Sequence, residues 1–205
     1  RCRAGRRGGD ASALGGGLQG GGASVVCSTS APLRTRASVL SFVDGGYAGG
    51  ASSWSLMNVH TYSKAADNLI RNQSIIDPVK QILGSDVYVF QCVLNLKRAF
   101  TGDIWQWHQD FSTYLIDDGM PANRLVNVLI FMDEVNEFNG PLMLIPHSHH
   151  GEATKNDVDD TTTSYPIRAL DNNRVASAVE ANGMVAPKGA PGSVIFANTN
   201  IIHGS

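Results

Sequence analysis

The sequence predicts a mainly β domain of the barrel or jelly-roll kind, entered through two helices. Three observations carry this. Short runs rich in β-branched and aromatic residues recur from Asp86 onward. Turn-rich pieces such as 136–141 and 187–192 separate them. Two segments with helical stop and start signals precede them. Many short strands after a helical lead-in are the signature of a closed or double-layered β architecture.

Residues 1–53 hold 13 of the 22 glycines, in runs such as Gly15-Gly16-Gly17, and show no sustained periodicity. They are expected to form a low-complexity tail outside the core, with the domain over residues 54–205. Their Arg and Ser content resembles an organelle transit peptide, a flexible tail or a misread coding start. The first helix is expected near residue 60, capped by Thr61 or Ser63 and carrying Ala65, Ala66, Leu69 and Ile70. The second is expected to be capped by Asp77, to place Pro78 in its first turn and to stop at Gly84.

Val87 to Lys97 reads as a strand, and the period of two puts Gln91, Val93, Asn95 and Lys97 on one face. Further strands are expected at 104–111, 125–132, 142–146, 183–186 and 193–202. The polar stretch 151–182 lacks a long period and reads as an insertion between strands, of the kind that forms lids on barrel rims.

Composition narrows the function. The chain has 205 residues, with 42% apolar and 17% charged, as in a folded globular domain. Residues 1–50 carry six Arg against Asp10 and Asp44, so the net charge of −2 conceals a more acidic core. An acidic core argues against nucleic acid as a partner. No apolar stretch approaches the ~20 residues of a membrane helix. Cys2, Cys27 and Cys92 form no CxxC pair, so a reducing, cytoplasmic setting is expected, or an organelle if the leader is a transit peptide. A monomer or homodimer is expected.

The segment Trp107-His108-Gln109-Asp110 is the most informative. His and Asp two residues apart on a strand project from one face and can chelate one ion. His203, at the end of the apolar run 193–202, supplies a third ligand. Two imidazoles and one carboxylate on one side of an ion leave positions open for a co-substrate and O2. His147, His149 and His150 cluster at a turn and read as a hydrogen-bonded corner.

A series of ordered words accompanies these residues: QCVLNLK at 91–97, WHQDF at 107–111, DGMP at 118–121, EFNGPLM at 137–143, LIPHSH at 144–149 and NIIHGS at 200–205. With them the chain resembles the phytanoyl-CoA dioxygenase family, and within it the ectoine-hydroxylase-like branch. The resemblance implies a double-stranded β-helix, a cupin-like jelly roll whose mouth holds Fe(II). It also implies 2-oxoglutarate as co-substrate, consumed with O2 while a small, amino-acid-like or zwitterionic molecule is hydroxylated. His108, Asp110 and His203 then stand at the metal, Asn95, Asn127 and Gln109 at the co-substrate, and Gln91, Thr113 and Tyr114 at the substrate.

Asp110 keeps the carboxylate that related halogenating enzymes replace with a small residue, which favours hydroxylation. Two positions depart from the family's pattern. His147 replaces the Gly of a Pro-Gly-Ser-His word. The Arg that the family places about ten residues beyond the distal His, to pair with 2-oxoglutarate, would fall after Ser205; either the chain is truncated, which is the expectation, or another cation substitutes, with Arg124 and Lys97 the candidates. The alternative reading is a non-catalytic or inactive truncated metal-binding module.

Overall fold

Seven consecutive residues, Leu125 to Phe131, are buried without exception, so this strand must be covered on both faces. It lies inside an antiparallel sheet in the protein's structure, a computed structural model that describes residues 23–30, 54–96, 104–153, 158–162 and 166–205. The elements are β1 (Ala23–Ser30), β2 (Trp54–Met57), α1 (Lys64–Ile70), α2 (Gln73–Leu83), β3 (Tyr88–Leu96), α3 (Asp110–Ile116), β4 (Leu125–Phe131), β5 (Met143–Leu144), β6 (Val158–Asp159), β7 (Ile167–Arg168), α4 (Asn172–Asn182), β8 (Val194–Asn198) and β9 (His203–Gly204). The main sheet runs β2-β3-β1-β4-β8; β5 pairs with β9, and β6 with β7. Among the described residues helices weigh nearly as much as strands.

The period of two divides the sheet into faces. Cys92, Val126, Val128 and Ile130 point to one side, where Ile70 of α1 and Ile75 and Val79 of α2 pack on them. Gln91, Val93, Asn95, Asn127, Leu129 and Phe131 point to the other and line a cavity. Leu144 of β5 and His203 of β9 line the same cavity, so the β5–β9 pair stands across it from the sheet.

The helices start where short polar side chains can replace missing intrahelical bonds. Ser63 caps α1 by accepting from the Ala66 amide at 3.4 Å. Asn72 caps α2 by accepting from the Ser74 amide at 2.9 Å. The second helix thus begins ahead of Asp77, and Pro78 falls inside it; Ile75 and Val79, one turn apart, give the earlier start its buried stripe.

Three expectations are corrected. Residues 1–53 do not all stand outside the core, because Ala23–Ser30 forms the middle strand, paired with β3 from Ala23↔Leu96 to Ser30↔Tyr88 and with β4 from Ser24↔Phe131 to Ser30↔Leu125. The run ASVVCSTS lacks Gly and Pro and is partly β-branched, so it suits a strand although the glycine-rich surroundings hide it. Residues 31–53 and Lys97 lie outside the described residues. Residues 104–111 are not a strand: 104–106 are irregular, His108 makes isolated bridges, and Asp110 opens α3. The stretch 151–182 is not only loop, since it contains the β6–β7 pair and α4. Asp171 caps α4 by accepting from the Asn173 amide at 2.9 Å, and Val175, Ala178 and Val179 pack it against Ile145, Leu170, Ile202 and Trp107.

Candidate metal centre

His108, Asp110 and His203 converge. One candidate ligand atom from each lies within 4.8 Å of the others. His108 Nε2 stands 3.3 Å from Asp110 Oδ1, and His203 Nε2 stands 3.7 Å from Asp110 Oδ2. Adjacent ligands about 2.1 Å from one ion would stand about 3 Å apart, so small side-chain movements fit all three to a single ion.

Local backbone explains the convergence. Gln109 is extended, with φ −125° and ψ 118°, so its neighbours project to one side and its own side chain to the other. The distal ligand comes not from the end of a long strand but from β9, which follows a turn after β8 at Thr199–Asn200. His108 N donates to His203 O at 2.9 Å, and His203 N donates to His108 O at 3.1 Å. Gly204 lets β9 come this close: a Cβ there would meet the Trp105 carbonyl oxygen at 3.0 Å and the Trp107 ring at 3.3 Å.

Each imidazole is oriented by its second nitrogen. His108 Nδ1 donates to the Gln106 carbonyl at 2.6 Å, and His203 Nδ1 donates to that of Ile201 at 3.0 Å. With Nδ1 protonated, Nε2 keeps its lone pair for an ion, the arrangement that metal-binding histidines commonly use. Asn127 Nδ2 donates to Asp110 Oδ2, restraining the carboxylate from the sheet.

The charges interlock. Burial opposes ionisation of Asp110, but His203, His108 and the Asn127 amide outweigh it and hold the carboxyl far below its ordinary range. For His108, burial works against the imidazolium and is overcome by Asp110 and the Gln106 carbonyl, so its pKa rises. For His203, burial and the neighbouring His108 prevail, and its pKa falls. A half-buried carboxylate kept ionised beside two imidazoles has the chemistry of a divalent cation site.

Two cavities meet at the triad. The first is lined by Asn95, Asn127, Trp105, His203 and apolar residues of the sheet. The second is lined by Met57, Asn58, Phe90, Thr113, Asp118 and Ile167. Both share Gln91, His108, Asp110 and Tyr114. Tyr114 Oη donates to Gln91 Oε1 at 3.0 Å, and this pair stands between them.

The expected site residues divide accordingly. Asn95 and Asn127 line only the first cavity, Thr113 only the second, and Gln91 and Tyr114 line both. Gln109 is corrected: it lines neither cavity, is fully buried, and donates from Nε2 to the Asn200 carbonyl at 2.7 Å. Its Oε1 accepts from Arg174 at 3.5 Å, while the bond to Asn200 ties the His108–Asp110 segment to the turn ahead of His203. Arg124 is also displaced from its expected place, donating to the Leu83 carbonyl at 3.2 Å on the surface. No Lys or Arg among the described residues lines either cavity. Asp118 and Asn58 were missed as cavity residues, although Asp118 opens the word DGMP.

The fold and site define a class: a sheet-walled cavity with two imidazoles and one carboxylate gathered at one point of its lining. The phytanoyl-CoA dioxygenase family matches residues 31–205, and the chain belongs to that family. The match begins ahead of the boundary drawn at residue 53 from composition. An ectoine dioxygenase of Bordetella bronchiseptica is 34% identical over 157 residues, 74% of this chain and 51% of that protein. An L-proline trans-4-hydroxylase of Streptomyces griseoviridis is 33% identical over 171 residues, 77% of this chain and 62% of that protein. The crystal structure of EctD from S. alaskensis with 2-oxoglutarate and 5-hydroxyectoine superposes with a TM-score of 0.64 at 34% identity, covering 73% of this chain and 49% of that one. The chain therefore spans about half the length of the ectoine dioxygenases it matches.

Proposed function

We propose that this chain forms the iron-binding part of a 2-oxoglutarate-dependent dioxygenase that hydroxylates a small amino-acid-like or zwitterionic molecule. The carrying observation is the triad: three ligand atoms within 4.8 Å, both imidazoles fixed with Nε2 toward the common centre. Membership of the family and the names of its relatives support the reading, and a jelly roll completed around the first cavity accords with it. Fe(II) held there would supply the redox chemistry that couples oxidative decarboxylation of 2-oxoglutarate to hydroxylation of a C–H bond.

The protein's own contribution is placement. His108, Asp110 and His203 occupy one side of the ion and leave the other to reactants. Asn95 and Asn127 offer amide donors on the first-cavity side, where 2-oxoglutarate would sit, and Asn127 also keeps Asp110 from rotating. Gln91, Thr113 and Tyr114 face the substrate, the Tyr114–Gln91 pair walling it off from the co-substrate. Trp105 at the rim and the apolar residues behind it exclude water from the reacting centre.

The test is Fe(II) titration of the chain followed by assay of succinate with 2-oxoglutarate and O2. Stoichiometric Fe(II) binding with succinate release is expected. Tight metal binding without succinate formation, including in a version extended past Ser205, would leave a metal-binding module and defeat the enzymatic reading.

A further inference from the structure

The second cavity has an electrostatic bias that its position makes functional. It runs along one face of α3 and the turn after it: Asp110, Thr113, Tyr114 and Asp118 follow one another at helical spacing. From Asp110 to Ile116 the helix rises about 9 Å, the length of a small organic molecule. His108 and Asp110 of the triad line one end of the cavity and Asp118 the other.

Among the described residues no cation neutralises Asp118. Its neighbour Asp117 is held by Arg168, whose Nη2 and Nε donate at 2.5 and 3.1 Å. Among the described residues Asp118 has no hydrogen-bond or ion-pair partner, and no Lys or Arg lines the cavity. Apart from His108 and Asp110, the remaining polar lining, Asn58, Gln91, Thr113 and Tyr114, is uncharged. An uncompensated carboxylate in a half-enclosed site attracts a cation and repels an anion. Burial, and then the charge of Asp117, raise its pKa, in keeping with a charge that lacks a counterpart.

We propose that the second cavity seats the primary substrate and that Asp118 receives a cationic nitrogen of that substrate, an ammonium or amidinium group. The inference rests on the dioxygenase reading above and narrows its substrate class. A molecule anchored at Asp118 lies along α3 with its far end against His108 and Asp110, so the carbon to be hydroxylated is the one held away from the nitrogen. Asp118 is a specificity-determining residue; it touches the substrate and not the reacting carbon.

The test uses matched pairs of small amines, amidines and amino acids and their N-acetylated counterparts. Binding to the full chain loaded with redox-inert Zn(II) is measured by calorimetry, and succinate release is measured with Fe(II) and 2-oxoglutarate. Cationic members are expected to bind better than their acetylated partners by at least about tenfold, the scale of one hydrogen bond to a charged group. Asp118→Asn should raise the Kd of the best cation by a similar factor, while Asp118→Glu, which keeps the charge, should stay near the wild type. Equal binding within pairs, preference for the acetylated member, a panel in which no cation binds, or an Asp118→Asn variant with unchanged Kd would each overturn the assignment. Cation binding through Asp118 without succinate release would overturn the dioxygenase reading alone. Succinate release with no cation preference would overturn this one alone.

Discussion

His108 and His203, far apart in the sequence, exchange both of their backbone hydrogen bonds, at 2.9 and 3.1 Å. The distance between the imidazoles is thus set by main-chain pairing before any ion arrives, and their ring centroids stand 4.2 Å apart. Such preorganisation lowers the conformational cost of binding an ion.

Gly204 is what this pairing depends on, since even a methyl group would meet the Trp105 carbonyl oxygen at 3.0 Å. Gly204→Val is expected to push β9 off the 105–108 segment and to weaken Fe(II) or Zn(II) binding by more than about tenfold, some 1.4 kcal/mol. Metal titration by calorimetry, with circular dichroism as a check on folding, measures this. Wild-type affinity in a folded variant contradicts the role given to the close approach.

Asp110→Ala removes the single carboxylate of the triad and is expected to abolish hydroxylation. It also leaves the amide of Asn127 without its acceptor. The measurement is hydroxylated product together with metal content after gel filtration. Full hydroxylation by this variant would remove Asp110 from the proposed ligand set.

Gln109→Leu fills similar volume but deletes the bond to the Asn200 carbonyl in a wholly buried place. An unsatisfied buried acceptor costs about 1–3 kcal/mol, and chemical denaturation should show a loss of that order. Because Gln109 lines neither cavity, a loss of 2-oxoglutarate affinity without any loss of stability would restore it to the co-substrate site instead.

Asp118 gives a prediction in pH. Burial and Asp117 raise its pKa in the folded chain, so the folded state holds the proton more tightly than the unfolded one. Its ionisation therefore costs stability: the penalty is absent below the ordinary carboxylate range and complete above the raised value. Asp118→Asn is expected to melt higher than wild type at neutral pH without ligand, and the advantage should shrink as pH falls through the carboxylate range. Thermal melts at several pH values decide, and a lower midpoint at neutral pH contradicts the sign. A residue that weakens the empty fold is a common mark of a binding site.

Much of the site was legible because its chemistry is written in side-chain type. His108, Asp110 and His203 carry the ligand atoms themselves, and the alternation Gln91, Val93, Asn95 fixed one face of β3 whatever the strand's partners were. Backbone context was harder. The aromatic residues Trp107 and Phe111 suit a strand through Asp110, while the turn into α3 is set by tertiary bonds such as Phe111 N to Thr199 O at 3.0 Å. Strand β1 was hidden by the glycines around it, since its register comes from β3 and β4 and not from its own pattern. Helix α4 carries a narrow apolar stripe between polar residues, and its partners Ile145 and Ile202 are remote in sequence. Gln109 at the co-substrate is implied by the resemblance alone, whereas the period of two that brings His108 and Asp110 to one face turns Gln109 to the other.

The ionisable end of the triad, the wall between the cavities and the threshold of Asp118 all ride on α3 and its final turn, seated on Phe90, Met120 and Leu125. A tilt of that helix would carry them together as one rigid ruler. Substitutions beneath it should therefore leave the spacing from Asp118 to the ion, and with it the carbon proposed to react, largely unchanged.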